Sequence, residues 1–339
     1  MFQVPWVMTI PKEALIFILA DGRIHSGSEL GSKWGVSRAA VSQAIGKLDL
    51  PGLEVFKIRG KGYRLKEPLY LLDNAAILKS LASGLQKKIA SLEIFHSLPS
   101  TNTYLLEKSH AFVDGAKPQF HICMSETQSS GRGSRGRKWV SPYGHNIYLS
   151  LSWKFAAGSN SLDGLSLVAG LAVSNTIRLC GIEGVGLKWP NDLQIDCRKI
   201  GGILVEVRGE APGVFQVVVG VGINLKLSAE IMNEVDQPWS CLTEHGFEME
   251  LRNHFAGQLI SGLIHNLEEF QTKGFSHFQS EWAALDVMHG KEIVITTQNG
   301  SVSGRSAGVD RDGALKVETP NGVQIVRSGY VSLKIRSNL

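Results

Sequence analysis

Apolar residues recur along this chain in several rhythms, and each rhythm implies a different element. Residues 12–20 carry apolar side chains on most faces, as a buried helix does. A second short helix is expected over 26-SGSELGSKW-34, after which 35-GVS-37 supplies a turn and a serine placed to cap the next helix. In 38-RAAVSQAIGKL-48, Val41, Ile45 and Leu48 fall at i, i+4 and i+7 and so share one buried stripe. After Pro51, 53-LEVFKI-58 and 62-GYRL-65 read as two strands joined at 59-RGK-61. Helix, turn, helix and basic hairpin together predict a winged helix-turn-helix.

From about Pro68 to Glu281 the rhythm changes. The stretches 121-HICMSETQ-128, 146-NIYLSLSWKF-155, 203-ILVEVR-208 and 215-FQVVVGVGINL-225 are rich in branched and aromatic residues and predict strands. Two longer stretches, 162-LDGLSLVAGLAVSNTIRLCG-181 and 251-LRNHFAGQLISGLIHNLEEF-270, predict helices. The expected class is an α+β domain whose mixed sheet carries helices on one face.

Composition adds three constraints. The chain of 339 residues is 43% apolar, which is ordinary for a globular protein with a real core. Its longest apolar run near the start, 14-ALIFILA-20, is too short to cross a bilayer, and no basic secretory n-region precedes it, so a cytoplasmic protein without membrane contact is expected. Cys123, Cys180, Cys197 and Cys241 match neither a redox pair nor a zinc ribbon, which favours buried free thiols and no structural metal.

Charge is more informative by segment than in total. Net charge is +4, yet residues 1–66 alone hold ten Lys/Arg against five Asp/Glu. A small basic module on a near-neutral body points to nucleic acid as the partner of that module. Off the apolar stripe of its third helix lie Arg38, Ser42, Gln43 and Lys47, with Lys61 in the hairpin. Glutamine and arginine can read base edges in two places, and lysine finds phosphate.

Three polar islands interrupt the apolar runs. The first, 131-GRGSRGRKWVSP-142, has three glycines and four cations in its first eight residues, but no Gly-Lys-Ser/Thr follows, so it is not an ATP-hydrolysing P-loop. In the second, 188-KWPNDLQIDCRK-199, Asn191 and Asp192 follow a proline and Lys199 lies seven residues past Asp192. The third, 220-GVGIN-224, lets something approach the backbone and ends on a residue that both donates and accepts. Each alone is weak, since glycines after strands are usually turns.

Taken in this order, the islands resemble the bifunctional biotin protein ligase and biotin operon repressor family. The resemblance runs through 36-VSRAAVSQ-43, 60-GKGYRL-65, 100-STN-102, 131-GRGSRGRKW-139, 188-KWPND-192, 198-RKIGGILVE-206 and 219-VGVGINL-225. It implies two half-reactions at one site. Biotin and ATP, with Mg²⁺, give biotinyl-5′-adenylate and pyrophosphate; a lysine of the biotin carboxyl carrier protein of acetyl-CoA carboxylase then takes the biotin and releases AMP. It also implies an SH3-like small β-barrel over 291–335, whose 329-GYVSL-333 carries Tyr330 where an acidic residue is common. The expected domains are then 1–66, a winged helix-turn-helix; 67–284, catalytic; and 285–339, SH3-like.

The resemblance assigns roles residue by residue. Lys199 bridges the biotin carboxylate and the α-phosphate, and Asp192 handles the acceptor lysine unless it only caps a turn. Ser100, Thr101, Asn102 and Gln128 surround the biotin ureido ring, and Gly202 lines the wall beside its bicycle. The loop residues Gly131, Arg132, Gly133 and Ser134 also border biotin. Arg132, Arg135, Arg137 and Asn191 face the adenylate, Trp139 stacks on adenine or is a core anchor, and Asn224 reads the adenine edge. Many members read GRGRRGR where this chain has Ser134, which predicts faster adenylate release. Residues 129–139 are expected to be mobile without ligand, because ordering costs roughly 1–2 kcal/mol per residue. A surface ordered by the adenylate would pair two protomers on operator DNA, and the carrier protein would compete for it. A sensing repressor without catalysis and a lipoate-type ligase are the rival readings.

Overall fold

The structure, a computed structural model, describes residues 10–108, 119–156, 162–209, 214–233, 235–297, 300–327 and 332–335. Its first module contains α1 (Lys12–Leu19), α2 (Gly27–Trp34), α3 (Arg38–Gly46) and the antiparallel hairpin β1 (Val55–Ile58) and β2 (Gly62–Leu65). Ser26 and Ser37 cap α2 and α3, accepting from Glu29 N at 3.0 Å and Ala40 N at 3.2 Å. Gly35 ends α2 at φ 63°, a conformation that favours glycine. Leu15, Leu19, Leu30, Val41, Tyr63 and Leu65 form the module's core, with Ile45 and Leu48 packed on it, so the stripe on α3 faces inward. Arg38, Gln43, Lys47 and Lys61 are exposed and Ser42 is half-buried. Lys47 lies just past the end of α3, which is two residues shorter than its pattern suggests.

The central sheet is formed by β3 (Ile89–Phe95), β4 (Phe120–Ser125), β5 (Ile147–Ala156), β6 (Gly186–Lys188), β7 (Asp192–Ile195), β8 (Arg198–Arg208) and β9 (Val214–Ile223). Its order is β3-β4-β5-β9-β8-β7-β6, with β3 and β4 parallel and the other pairs antiparallel. Four helices accompany it: α4 (Asn74–Lys79), α5 (Thr101–Glu107), α6 (Leu165–Leu179) and α7 (Arg252–Lys273).

Period-two alternation gives the sheet two unlike faces. Leu149, Leu151 and Trp153 of β5, with Val217, Val219 and Val221 of β9, join the main core against the long helices α6 and α7. The alternate residues form the cross-strand pairs Tyr148↔Gly222, Ser150↔Gly220 and Ser152↔Val218, and Gly202 of β8 pairs with Gly222. This second face is covered only in part, by α5, whose Leu105 packs on Cys123 and Val218. The long helices therefore share one face as expected, and the short α5 takes the other. Glycine and serine on the α5 side leave a hollow over the middle of the sheet.

After α8 (Gln279–Leu285), strands β10 (Glu292–Thr297), β11 (Gly300–Val309), β12 (Leu315–Thr319), β13 (Gly322–Val326) and β14 (Ser332–Ile335) form an antiparallel sheet in the order β13-β12-β11-β10-β14. Tyr330 lies outside the described residues. This sheet is tied to the central body by buried Trp189, whose Nε1 donates to Gly313 O at 3.0 Å. The winged module is held by Tyr143 N donating to Pro51 O at 2.7 Å, and by Glu67, which engages Lys226 and lies 3.4 Å from His145 Nε2. Inside the body, Arg252 and Glu126 form a fully buried ion pair at 2.7 Å. No helix among the described residues is long and apolar enough to cross a membrane. All four cysteines are free, but only Cys123 and Cys241 are buried; Cys197 is exposed, contrary to the expectation of buried thiols, because it sits at the tip of the β7–β8 turn.

Candidate active site

A cavity of about 880 Å³ occupies the hollow on the α5 side of the sheet, and all three polar islands reach it. Its floor is the glycine pair. A Cβ on Gly222 would lie 2.6 Å from Trp139 Cε2, and one on Gly202 would lie 3.4 Å from both the Trp139 ring and Lys199 Nζ. Gly222 thus leaves room for the indole, which no side chain there would, while a Cβ on Gly202 would only touch the ring. Trp139 Nε1 is buried without a hydrogen-bond partner, against Gly222.

At one end, β3 and β4 are prolonged by the parallel bridge Leu98↔Gln128, which sets Gln128 beside the start of α5. Gln128 Oε1 accepts from Thr101 N at 2.9 Å and Thr101 Oγ1 at 3.3 Å. Ser100 caps α5 by accepting from Thr103 N. Ser150, on the small-residue face of β5, lies 2.7 Å from Thr101 Oγ1 and 2.5 Å from Asn102 Oδ1. Asn102 fits over Gly220, where no Cβ could be accommodated. The result is a buried row of hydroxyls and amides suited to a small polar ring.

The arginine loop is a closed hairpin along one wall. Trp139 N donates to Gly131 O at 2.8 Å and Gly133 N to Arg137 O at 2.7 Å, with a bridge between Arg132 and Lys138. Arg135 stands at φ 62° at its tip, before Gly136 at φ 69°. Partial burial and the neighbouring Arg137 push the Arg135 guanidinium below its ordinary value, while Asp192 acts in the opposite direction. Arg137 Nη2 donates to Ser134 Oγ at 3.1 Å, and its Nε donates to Ser134 O at 3.3 Å.

The opposite wall comes from two consecutive hairpins, β6–β7 and β7–β8. Asn191 follows the cis Trp189–Pro190 peptide and locks this turn to β8, with its Nδ2 donating to Ile203 O at 2.8 Å and its O accepting from Ile203 N at 2.9 Å. Asp196 and Cys197 turn the chain at φ 50° and 61°, as a tight hairpin demands. That turn returns Lys199 to within 2.6 Å of Asp192 Oδ1, and its Nζ also sits 5.5 Å from the centre of the Trp139 ring. The Lys199–Asp192 contact is an ion pair, and Asp192 Oδ1 has no aligned hydrogen bond. A buried ammonium beside an aromatic face, with arginines across the cavity, is equipped to neutralise a dense anion.

Fourteen of the sequence-predicted ligand residues line this one cavity: Ser100, Thr101, Asn102, Gln128, Arg132, Gly133, Ser134, Arg135, Arg137, Trp139, Asn191, Asp192, Lys199 and Gly202. Two do not. Asn224 is 5% exposed, and its Nδ2 donates to Ser240 O at 3.1 Å and Lys199 O at 3.4 Å, which braces the Lys199 backbone. Gly131 sits behind the loop, where a Cβ would lie 2.6 Å from Trp139 O. Sequence reasoning misses Lys138, Gln194, Cys197 and Asp236, which also line the cavity, and Ser150 and Glu206, which brace it. Ser150 and Glu206 are polar residues within strand stretches of marked apolar content; Glu206 also closes the motif 198-RKIGGILVE-206.

The architecture has known counterparts. Residues 94–224 match the biotin/lipoate A/B protein ligase family, 288–334 the biotin protein ligase C-terminal domain and 12–64 an HTH domain. The bifunctional ligase/repressor BirA of Salmonella typhimurium is 39% identical over 326 residues, spanning 96% of this chain and 98% of that protein. The chain belongs to the bifunctional ligase/repressor family. The BirA of Bacillus subtilis is 27% identical with coverage of 96% and 99%. A solved structure of biotin protein ligase from Aquifex aeolicus in complex with biotin and ATP superposes with a TM-score of 0.59 at 26% identity, over 73% of this chain and all of that one. Membership identifies the chain as a biotin protein ligase with a DNA-binding head, and full-length similarity to ligase/repressors sets aside the lipoate alternative.

Proposed function

We propose that the cavity carries out both half-reactions of biotin transfer, and that the head represses transcription in response to the adenylate. The observation that carries this reading is the convergence of Lys199, Asp192 and the arginine loop on one glycine-floored cavity. In the first step a carboxylate oxygen of biotin attacks the α-phosphorus of ATP; a P–O bond to pyrophosphate breaks and the mixed anhydride forms. Lys199, Arg132, Arg135 and Arg137 neutralise the developing charge. Ser100, Thr101, Asn102 and Gln128 hold the ureido ring, Gly202 lines the wall beside the bicycle, and Trp139 and Asn191 border the adenosine half. Mg²⁺ enters on the phosphates of its ATP substrate; among the described residues no group of three His, Cys, Asp or Glu is placed to hold a metal.

In the second step an amine of the carrier protein attacks the adenylate carbonyl. An amide forms, AMP leaves, and the amine's proton passes to Asp192. A free lysine is only one part in ~10³ uncharged at neutral pH, so a carboxylate at this position serves to orient the amine and take its proton. The division into 1–66, 67–284 and 285–339, a cytoplasmic location, a homodimer formed when adenylate tightens the loop, and competition from the carrier protein of acetyl-CoA carboxylase belong to the same reading. Incubation with biotin, Mg-ATP and a carrier domain, followed by intact mass, tests it. A single biotin adduct on the carrier is expected; no adduct, with operator binding retained, would favour a sensing repressor without catalysis.

A further inference from the structure

We propose that Glu206, which does not line the cavity, is a positioning residue that joins the biotin end of the site to the arginine loop. Its Oε2 accepts from Asn102 Nδ2 at 2.8 Å and from Arg132 Nη2 at 2.8 Å, so one oxygen serves both partners. The same Arg132 nitrogen donates to Thr103 Oγ1 at 3.1 Å. The loop is thereby docked on the first turn of α5, beside the residues assigned to the ureido ring.

The placement follows from the strand. On β8, Gly202, Leu204 and Glu206 alternate onto the face that bears the cavity, opposite Gly222, Gly220 and Val218 of β9. Gly202 and Leu204 line the cavity, and Glu206 lies one step beyond its edge. Asn102 is 3% exposed and both its amide protons are engaged: Nδ2 also donates to Leu204 O at 3.2 Å, while Oδ1 faces Ser150 Oγ with one lone pair to spare. The carboxylate therefore fixes which way the amide points. It also gives the loop its acidic anchor: among the described residues, Arg132 makes a direct ion pair with a carboxylate, at 2.8 Å, while Arg135, Arg137 and Lys138 make none within 4 Å. Hydrogen bonds to a charged acceptor are roughly twice as strong as neutral ones, so glutamine would weaken the link and alanine would remove it.

This inference rests on the ligase reading for its biotin readout, but not for its loop readout. Trypsin cuts after Arg132, Arg135, Arg137 and Lys138, and so reports loop docking directly. In the full-length protein, Glu206→Ala is expected to be cut there about tenfold faster than wild type and to release biotinyl-adenylate about tenfold faster, with Glu206→Gln intermediate. Biotin KM should rise more than ATP KM, a split that general destabilisation would not produce. Combining Glu206→Ala with Arg132→Ala should add little to either single change in loop cleavage. Wild-type cleavage and adenylate retention in Glu206→Ala would overturn the proposal, as would multiplicative effects in the double variant. If wild type bound no biotin, the ligase reading would fail while the cleavage series still decided the role of Glu206.

Discussion

Lys199 Nζ stands 2.6 Å from Asp192 Oδ1, with the two side chains only 10% and 12% exposed. The cation assigned to the first half-reaction and the carboxylate assigned to the second are thus each other's counter-ion. Removing one partner of such a pair leaves a buried charge uncompensated, at a cost of about 3–5 kcal/mol. Asp192→Asn is therefore expected to lower the melting temperature of the free protein. A non-hydrolysable biotinyl-adenylate analogue, whose anionic group replaces the lost partner, should raise it by more than in wild type. Biotin transfer from preformed adenylate should fall at least about 10²-fold. Paired melts with and without the analogue check the first expectation, and single-turnover transfer checks the second.

Ser134 lies within the arginine loop, and its hydroxyl accepts from Arg137 Nη2 at 3.1 Å. It thus steers a neighbouring arginine without adding charge of its own. Ser134→Arg is expected to slow adenylate release several-fold, because a further cation faces the anion. Ser134→Ala should speed release, because Arg137 loses its side-chain tether. Stopped-flow displacement of labelled adenylate measures both; equal off-rates across the three proteins would refute this account.

Much of this site is legible in the amino-acid sequence, for a local reason. The motifs at 131–139, 188–192 and 100–102 lie on loops, strand ends and a helix start, where unusual residue types stand out from their surroundings. The alternation in 215-FQVVVGVGI-223 likewise marks the bare face of β9, since Gly220 and Gly222 share a parity. Pairing across the sheet is what the linear pattern hides. Nothing in the sequence places Glu206 against Arg132, 74 residues away, or Ser150 against Asn102, 48 away. The bonds of Asn224 are hidden in the same way: the linear pattern does not show its Nδ2 spanning the Ser240 and Lys199 carbonyls.

Glu67 links the winged module to the body through Lys226 and His145. Burial alone would push its carboxyl up, but the hydrogen bond and charge of Lys226, followed by those of His145, outweigh this and hold it below its ordinary value of 4.5. A carboxyl depressed on folding contributes stability that is present above its unfolded value and lost as pH falls through its folded one. Wild type should therefore lose stability below about pH 4.5 more steeply than Glu67→Gln. Melts from pH 3 to 7 test this, and parallel curves would contradict it.

Arg38 and Gln43 project from α3, while Lys61 sits in the β1–β2 turn, all exposed. If the head binds operator DNA as proposed, their contributions should differ in kind. Lys61→Ala should weaken binding to all sequences and reduce the salt slope by about 1, as loss of a phosphate contact does. Gln43→Ala should cost roughly 1–3 kcal/mol on the operator and much less on random DNA. Titrations at several salt concentrations separate the two patterns.

Arg252 is completely buried at the start of α7, although arginine is rarely found there unpaired. Its guanidinium donates to Glu126 at 2.7 Å, to Tyr70 O at 2.9 Å and twice to Asn146 O. Glu126 in turn accepts from Leu72 N at 2.5 Å, so this one pair fastens the 70–72 connector, α7 and the entry to β5. Arg252→Met keeps the stem but strands the Glu126 carboxylate, and should destabilise the protein by about 3–5 kcal/mol. Adding Glu126→Leu removes the stranded charge, so the double variant should recover part of that loss even though it lacks both ionic groups. The backbone carbonyls of Tyr70 and Asn146 would still lack their donor and Leu72 N its acceptor, so recovery should stop short of wild type. Urea unfolding of wild type and the two variants gives the comparison, and a double variant no more stable than Arg252→Met would show that the bonds to backbone groups, rather than the ion pair, carry the connection.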